Sequence, residues 1–252
     1  ALQCNESVHL AILDFSKAFD KVPHQRLLYK LDHYGIRGQL QHWMESFLTQ
    51  RTQQVVCDGA VSSQLKVTSG VPQGTVLGPL LFLLYINDLP LDLQCTTRLF
   101  ADDCLLYATV VDPTVDGDLL QSDLINLELW QKTWQMEFNP KKCSTMCISL
   151  KREPPSRRYT FCSRLLDCVD SHPYLGVQLD NKLRWKEHIQ IVTSKANKML
   201  GLIRRNFWFC SEDVKQTLYK TLVRPKLEYA AVSWDPHYKC DVGRMEQVQR
   251  SA

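Results

Sequence analysis

Near the start of the chain, a continuous apolar run, typical of a buried strand, is followed by apolar residues three or four positions apart, which is typical of helices. The run from His9 to Phe15 is apolar except for His9 and Asp14, so it predicts a buried strand with a carboxylate at its end. Helical spacing follows from Leu27 to Tyr34 and again from Leu40 to Leu48. We therefore predict one strand followed by two helices.

The next pattern is that of short strands and a shaped loop. Two β-branched segments, Gln53 to Asp58 and Gln64 to Thr68, flank Gly59 and predict a hairpin. The segment from Ser69 to Gly74 contains two glycines and a proline, which indicates a loop of defined shape. An apolar helix is then expected from Gly78 to about Asp88.

An acidic pair interrupts the apolar run from Arg98 to Tyr107. We predict a β-hairpin there, with Asp102 and Asp103 at its tip. Helical spacing returns from Thr114 to Phe138, and a strand is predicted from Thr145 to Ser149. This order of elements favours an α+β domain with a central, mostly antiparallel sheet and helices on one face.

The C-terminal part is predicted to be mostly helical. After a polar, proline-containing connection, strands are expected near Tyr159 to Cys162 and Tyr174 to Leu179, and the pattern beyond Trp185 is helical. We therefore divide the chain into a sheet domain at 1–181 and a helical region at 182–252.

The charge is distributed unevenly. The chain of 252 residues carries a formal charge of only +3, and its hydrophobic fraction of 44% is enough for a substantial core. Between Lys182 and Lys226, however, eleven lysines and arginines stand against three acidic residues. Such an excess suits binding to phosphate backbones. A solvated helical face is the alternative, and the sequence leaves both open.

Two classes of protein are disfavoured. No apolar run reaches the roughly 18 residues that a membrane span needs, and no signal peptide is recognisable. The ten cysteines include no Cys-x-x-Cys pair, which argues against a zinc site and favours reduced, mostly buried thiols in an intracellular protein.

Three aspartates are the strongest candidates for chemistry. Asp14 ends a predicted strand, while Asp102 and Asp103 are adjacent at a predicted turn. Neighbouring carboxylates repel each other, and a divalent cation is their usual compensation. Two such cations can promote in-line phosphoryl transfer. Taken alone, Asp102 and Asp103 would favour an exposed acidic turn, since aspartate is common in turns.

Five segments resemble, in order, the motifs of reverse transcriptases, most closely those of non-LTR (LINE-like) retrotransposons. They are LDFSKAFDKVPH at 13–24, SGVPQGTVLGPLLF at 69–82, FADD at 100–103, NPKK at 139–142 and YLGV at 174–177. The resemblance implies a right-hand polymerase palm followed by a helical thumb, and an RNA-directed DNA polymerase that adds deoxynucleotides to a primer 3′-hydroxyl. Because only thirteen residues precede Asp14, we expect the fingers to be largely missing and the chain to be inactive in isolation.

The resemblance also implies roles for individual residues. Asp14, Asp102 and Asp103 would be catalytic and would bind two Mg²⁺ ions, with Mn²⁺ as a substitute and Asp103 as the least direct ligand. Phe19 would exclude ribonucleotides by its bulk, and the Phe15 carbonyl would complete a metal shell. The nucleotide-binding residues implied are Phe15, Ser16, Ala18, Phe19, Gln73, Gly74 and Lys142, the last near the departing pyrophosphate; Cys143, which follows it, departs from the hydroxyl residue common in the family.

The partners implied are an RNA template, a DNA primer and deoxynucleoside triphosphates, without a membrane. Basic residues of the helical region would bind nucleic acid: Lys195, Lys198, Arg204 and Arg205. Core packing is favoured over base stacking for the aromatic residues Trp185, Phe207, Trp208 and Phe209. Asp20, Lys21 and His24 are interpreted as structural or solvent-facing.

Two other functions remain open on the sequence. A relict or co-opted domain could keep the fold and bind nucleic acid without catalysis, and metal-independent binding would identify it. An intron maturase or an RNA-dependent RNA polymerase is a further alternative, which Phe19 and the segment 17–24 disfavour. We expect a location inside the cell, in the nucleus and cytoplasm, although no targeting signal is visible, and the oligomeric state is unknown.

Overall fold

The computed structural model describes residues 2–4, 6–111, 116–155 and 157–251. It divides into two compact units, residues 1–169 and 170–252. The division comes before the predicted boundary at residue 181, because the hairpin that follows residue 170 packs with the helices. Its Val177 shares an apolar cluster with Ile189, Val192 and Trp234.

The first unit contains eleven short or medium strands and five helices among the described residues. Its strands are β1 (Ser7–Asp14), β2 (Thr52–Gln53), β3 (Val56–Cys57), β4 (Ala60–Val61), β5 (Leu65–Lys66), β6 (Thr96–Phe100), β7 (Asp103–Val110), β8 (Ser144–Ile148), β9 (Thr160–Phe161), β10 (Arg164–Leu165) and β11 (Asp167–Cys168). Its helices are α1 (Ala18–Lys21), α2 (His24–His33), α3 (Gly38–Leu48), α4 (Leu77–Ile86) and α5 (Asp116–Trp134), after a 3₁₀ turn at Leu2–Cys4.

Five of these strands form the central sheet, in the order β11-β8-β1-β7-β6. Strand β1 pairs antiparallel with both β7 and β8, β6 pairs antiparallel with β7, and only β11 is parallel to its neighbour. The predicted α+β class with a central, mostly antiparallel sheet is therefore confirmed. The predicted hairpin around the acidic pair corresponds to β6 and β7.

One face of the sheet carries the core of the first unit. Directly opposite residues of an antiparallel pair lie on the same face, and the faces alternate along each strand. Ala11 pairs with Leu106 and Leu13 with Cys104, and all four are buried in one cluster with apolar residues of α4 and α5. Asp14 is out of phase with that set, so its side chain belongs to the other face.

The structure departs from the predictions at one helix and at one hairpin. The helix expected from Thr114 to Phe138 ends at Trp134, and Thr114 lies outside the described residues. Phe138 instead forms an antiparallel bridge with Phe15 and stacks on its ring, with 4.2 Å between centroids. Here a long-range contact overrides the local helical pattern. The hairpin predicted around Gly59 is split into two short pairs of strands, and residues 51–66 are all exposed.

The second unit is a hairpin followed by helices. Its elements are β12 (Ser171–Tyr174), β13 (Val177–Asp180), α6 (Lys186–Asn206), α7 (Glu212–Leu218), α8 (Arg224–Glu228), α9 (Ala231–Trp234) and α10 (Lys239–Arg250), with a π-helical turn at Tyr219–Val223. Helix α6 is amphipathic: Ala196, Leu200 and Ile203 are buried against Val223 and Leu227. The predicted helical character of this region is confirmed.

Some side chains that were expected in a core are exposed. Phe207, Trp208 and Phe209 are all exposed, Trp208 by 73% and Phe209 by 70%, so the prediction of core packing is wrong for these three residues. They follow the end of α6 in a turn, where no described element of the second unit packs over them. Trp185, by contrast, packs against the cluster of Val177 and Trp234.

The thiols were also expected to be mostly buried. Only Cys95, Cys104 and Cys143 are, and four of the ten cysteines are exposed. Among the described residues, no helix is both long enough and apolar enough to cross a membrane.

Candidate active site

The register of the central sheet brings two of the three predicted aspartates together. Asp14, the last residue of β1, pairs directly with Asp103, the first residue of β7. Directly opposite Cβ atoms in an antiparallel pair are about 4.5–5.5 Å apart, so the two carboxylates lie side by side on the face away from α4 and α5. Both residues are only partly buried, which leaves this edge accessible.

Asp102 lies in the two-residue turn that joins β6 to β7, beside Ala101. The backbone of Ala101 has a φ of 50°, a left-handed conformation that costs a non-glycine residue of the order of 1 kcal/mol. Strain of this kind is concentrated at functional sites. The turn therefore holds Asp102 next to the Asp14–Asp103 pair at a conformational cost.

The end of β1 is fixed by a segment more than a hundred residues later in the chain. The Asn139 amide donates to the Asp14 carbonyl at 2.7 Å, and the Ser16 amide donates to the Glu137 carbonyl at 2.7 Å. Phe15, between them, is 3% exposed and stacks on Phe138. These contacts lock the backbone from Asp14 to Ser16 in place.

Lys142 approaches the candidate site from the same segment. Its Nζ lies 3.2 Å from Asp14 Oδ2, with 67% of the lysine side chain exposed. The lysine's orientation does not make this contact a hydrogen bond, and Asp14 Oδ2 is a buried oxygen without a hydrogen-bond partner. The turn itself is well defined, because the Lys142 amide donates to the Asn139 carbonyl at 2.9 Å.

The donor set suits a hard divalent cation. Three carboxylates are oxygen ligands of the kind that Mg²⁺ prefers, and the buried Oδ2 of Asp14 lacks a hydrogen-bond partner. In the part of the chain that the structure describes, no three His, Cys, Asp or Glu side chains are already close enough to form a metal site. The residues therefore fit a metal chemically, although their side chains are not gathered around one.

The glycine-containing loop packs against the segment that follows β1. The Val71 amide donates to the Phe19 carbonyl at 2.7 Å, and the Gly70 amide donates to the Val22 carbonyl at 2.8 Å. Gln73 Nε2 donates to Asp20 Oδ1 at 2.8 Å. The two segments that the sequence separates by about fifty residues thus form one hydrogen-bonded unit.

Gly70 is required by that packing. Its φ is +90°, and a Cβ at this position would lie 2.7 Å from the Asp20 carbonyl oxygen. Gly74 has a φ of +76°, but a Cβ there would meet nothing within 4 Å. Gly70 is therefore needed because the two segments approach closely there. At Gly74 glycine is favoured only by the left-handed backbone conformation, since the position borders open space.

The structure also places the other predicted nucleotide-binding residues. Phe19 is partly buried, and its ring lies against Phe82 with 4.5 Å between centroids. Ser16 is partly buried and Ala18 is 4% exposed. Ala18 and the ring of Phe15 thus face the protein interior, so only their backbones are positioned to contact a ligand.

Asp20, Lys21 and His24 all make contacts within the protein. His24 is buried, and its Nε2 lies 2.7 Å from the Gly70 carbonyl oxygen. Lys21 forms an ion pair with Glu137. Together with the acceptor role of Asp20, these contacts agree with the structural interpretation of the three residues.

The sequence did not indicate Lys17, Arg51 and Lys66, which line a groove of about 610 Å³ together with Asp20 and the loop at 69–73. Arg51 precedes the predicted hairpin and Lys66 lies in its second segment. The pairing of Thr52 with Lys66 brings this part of the groove together. That pairing cannot be predicted from the sequence unless the register of the two strands is known.

The second unit contains a separate basic groove of about 750 Å³ on α6, lined by Lys198, Gly201 and Arg205 and by Arg244 of α10. Of the other predicted nucleic-acid-binding residues, Lys195 is exposed on α6 outside this groove. Arg204 donates to the carbonyl oxygen of Ser251, at the end of α10. The four basic residues therefore have different surroundings, and only two of them share the groove.

A sequence model of one protein family, described as reverse transcriptase (RNA-dependent DNA polymerase), matches residues 2–202. The chain belongs to the reverse transcriptase family. The match includes all three candidate aspartates, the loop at 69–73 and Lys142.

Relatives of this reverse transcriptase chain come from mobile elements. It is 28% identical to the probable RNA-directed DNA polymerase from transposon X-element of Drosophila melanogaster, over 99% of this chain and 28% of that protein. It is 31% identical to the RNA-directed DNA polymerase from mobile element jockey of the same species, over 91% of this chain and 26% of that protein. The predicted resemblance to LINE-like retrotransposon enzymes is confirmed, and the chain spans little more than a quarter of the length of these relatives.

The fold of this reverse transcriptase chain is also similar to that of solved structures. Telomerase from Candida Tropicalis, determined in complex with a fragment of telomeric RNA, aligns with a TM-score of 0.50 and 11% sequence identity. The alignment covers 96% of this chain and 44% of the telomerase chain. At such low identity the similarity concerns the fold alone, and it agrees with a polymerase fold.

Proposed function

We propose that this chain carries the catalytic centre of an RNA-directed DNA polymerase, which adds deoxynucleotides to the 3′-hydroxyl of a DNA primer on an RNA template. The observation that carries the proposal is the cross-strand pairing of Asp14 with Asp103, with Asp102 in the adjoining strained turn. Family membership and the names of the relatives support the same reaction.

In this proposal Asp14, Asp102 and Asp103 hold two Mg²⁺ ions, which Mn²⁺ could replace. When bound, such ions would neutralise charge on the attacking and leaving oxygens of an in-line phosphoryl transfer. The register supports a larger part for Asp103 than the resemblance alone implies, because Asp103 and not Asp102 is directly opposite Asp14. The backbone carbonyl of Phe15 lies next to these carboxylates, because Phe15 directly follows Asp14 in the chain.

The protein's own groups would position the nucleotide. Phe19, braced by Phe82, would exclude a 2′-hydroxyl. Gln73 is exposed and Gly74 borders open space, so their loop is available to an incoming nucleotide and the base that templates it. Lys142 is already paired with Asp14, and its ammonium would neutralise the departing pyrophosphate.

The larger organisation is also proposed. The sheet unit would be the palm and the helical unit would be part of the thumb. Lys198 and Arg205 line a basic groove, which supports contact between the helical unit and the phosphates of template and primer. The enzyme would act inside the cell, in the nucleus and cytoplasm, as part of a retrotransposon-encoded protein.

Primer extension on poly(rA) with an oligo(dT) primer and Mg²⁺ tests this proposal. The proteins compared would be the chain, the chain extended by whatever sequence precedes Ala1 in its reading frame, and Asp102→Ala in each. Asp92→Asn is a matched control, because Asp92 is an exposed aspartate outside the candidate site. We expect extension in the longer protein, about a thousandfold lower with Asp102→Ala, since several kcal/mol of charge stabilisation would be lost.

Equal extension by the Asp102→Ala protein would contradict the catalytic assignment. A longer protein that binds template and primer in a metal-independent way, but never extends the primer, would instead support the inactive nucleic-acid-binding domain. Filter binding of the same labelled substrate, with and without EDTA, separates these outcomes.

A further inference from the structure

The groove of about 610 Å³ in the first unit is lined by basic side chains on two sides. Lys17 and Lys21 come from the start and end of the α1 region, and Arg51 and Lys66 come from the ends of β2 and β5. The backbone of residues 67–73 lies between these two sides. Four basic side chains therefore surround one concave surface next to the loop that contains Gln73.

The positive charge of this groove is only partly compensated within the protein. Lys21 is paired with Glu137. Asp20, the acidic residue of the groove, accepts the Gln73 amide. Within the described ranges, Lys17, Arg51 and Lys66 form no ion pair with an acidic residue of the chain. Like charges gathered in a concave surface repel one another, so the arrangement favours an anionic ligand.

The hairpin side of the groove is held by backbone pairing. The Val67 amide donates to the Arg51 carbonyl at 2.9 Å, and Thr52 pairs with Lys66 in the β2–β5 register. The guanidinium of Arg51 also lies 5.8 Å from the centre of the Phe47 ring. These contacts keep Arg51 and Lys66 near each other while both side chains stay exposed.

The α1 side is held in a strained conformation. Lys17 has a φ of 55°, which costs a non-glycine residue of the order of 1 kcal/mol. The amides of Asp20 and Lys21 donate to its carbonyl at 3.0 and 3.1 Å. The fold thus keeps an exposed lysine at a position where glycine would be conformationally better.

We propose that this groove binds the phosphate backbone of the unpaired template strand as it approaches the Gln73 loop. The inference rests on the proposed function and adds Lys17, Arg51 and Lys66 to its nucleic-acid contacts. The uncompensated cations come from two sides of an open surface, which fits a chain of successive phosphates. A nucleoside triphosphate has the same phosphate chemistry, and its binding is the competing outcome of the test.

Binding of fluorescein-labelled oligonucleotides tests the inference independently of catalysis. The probes are a single-stranded RNA, an RNA–DNA duplex with a 5′ RNA overhang, and the same duplex with blunt ends. Each is titrated at several salt concentrations against the chain and the double variant Arg51→Ala/Lys66→Ala. The matched control is Lys132→Ala/Arg152→Ala, which removes two exposed cations of the same unit outside the groove.

We expect the Arg51→Ala/Lys66→Ala protein to bind the single strand and the overhang about tenfold more weakly. The slope of log K against log salt should fall by about 1.4, because each phosphate contact on a single strand contributes about 0.7. Binding to the blunt duplex and binding by the control variant should not change. The same differences should appear in the Asp102→Ala background, so the inference can stand even where the catalytic assignment fails.

Lys17→Gly gives a second, sharper test. Glycine relieves the strained backbone, so this variant should be at least as stable as the parent while it binds the overhang several-fold more weakly. Equal loss of binding to the blunt duplex, or unchanged binding in both variants, would overturn the proposal. So would variants that keep overhang binding but no longer respond to competing deoxynucleoside triphosphate, since the groove would then be a triphosphate site.

Discussion

The two units hold their candidate functional residues in different ways. In the first, Asp14 is fixed by strand β7 on one side and by the Asn139 amide on the other, so segments distant in sequence meet at one point. In the second, Lys198 and Arg205 lie on one face of a single helix, with exposed side chains. The first arrangement defines positions closely, whereas the second mainly defines a charged surface.

The difference follows from what each kind of site must do. Carboxylates that share metal ions must keep their relative positions, and only long-range backbone contacts can provide this. Phosphate contacts tolerate variation, because the electrostatic attraction changes slowly with distance. We therefore expect changes around the aspartates of the first unit to have large effects that depend on geometry, and changes in the basic groove of the second unit to have small effects that depend on charge.

The largest of these effects is expected for Gly70→Ala. A Cβ there would lie 2.7 Å from the Asp20 carbonyl oxygen at a φ of +90°, so the loop at 69–73 must move away from the Phe19 segment. We expect a destabilisation of about 1–3 kcal/mol and a loss of primer extension larger than the loss of stability explains. Urea denaturation and primer extension measure the two effects.

Gly243→Ala is the matched control, since a Cβ at Gly243 meets nothing within 4 Å on helix α10. Alanine there should stabilise the protein by up to about 1 kcal/mol, because alanine favours helices more than glycine does. If Gly70→Ala behaved like this control, the loop would not depend on its close approach to Asp20, and the contrast between the units would be lost.

Much of the first unit could be predicted because its signals are local. The apolar run before Asp14 and the acidic pair within the run at 98–107 indicated the strands β1, β6 and β7 before any register was known. The pairing of Asp14 with Asp103 was not predictable in that way, since it depends on which residues of two distant strands face each other. The bridge between Phe15 and Phe138 could not be predicted for the same reason.

The second unit shows the opposite limit. Its helices follow from periodicity, but the surroundings of each exposed side chain do not. Trp208 and Phe209 are hydrophobic, yet they lie beyond the end of α6 where their own unit does not cover them. Arg204 and Arg205 are neighbours in sequence, but one contacts the end of α10 and the other lines the groove. Periodicity cannot distinguish such neighbours without the position of the second helix.

A smaller effect is expected from pH, because the interior of the first unit contains a cation. Lys30 is 3% exposed and donates to the Tyr85 carbonyl and to Asp88. Burial lowers the pKa of Lys30 from 10.5 to about 8, against the opposing influence of Asp88. Between these two pH values the unfolded chain binds more protons than the folded one, so Lys30 makes stability rise with pH across this window.

The contribution of Lys30 must be measured as a difference, since burial raises the pKa of Cys104 and Tyr85, which lowers stability at alkaline pH. We expect the stability of the parent minus that of Lys30→Met to rise by about 1–3 kcal/mol from pH 8 to 10.5. Urea denaturation at several pH values measures it. A constant difference would mean that Lys30 is not desolvated in the folded chain.

The smallest effects should separate Arg204 from Arg205 in the second unit. Arg205 lines the basic groove with Lys198 and Arg244, so Arg205→Ala should weaken binding to a template–primer duplex several-fold, whatever its sequence, and lower the salt slope by about one. Arg204 donates to the Ser251 carbonyl, so Arg204→Ala should reduce stability by about 0.5–1 kcal/mol and leave the slope nearly unchanged. Fluorescence anisotropy at several salt concentrations and thermal denaturation distinguish the two. Equal effects of both variants on the slope would mean that the helix presents a diffuse positive surface without a defined groove.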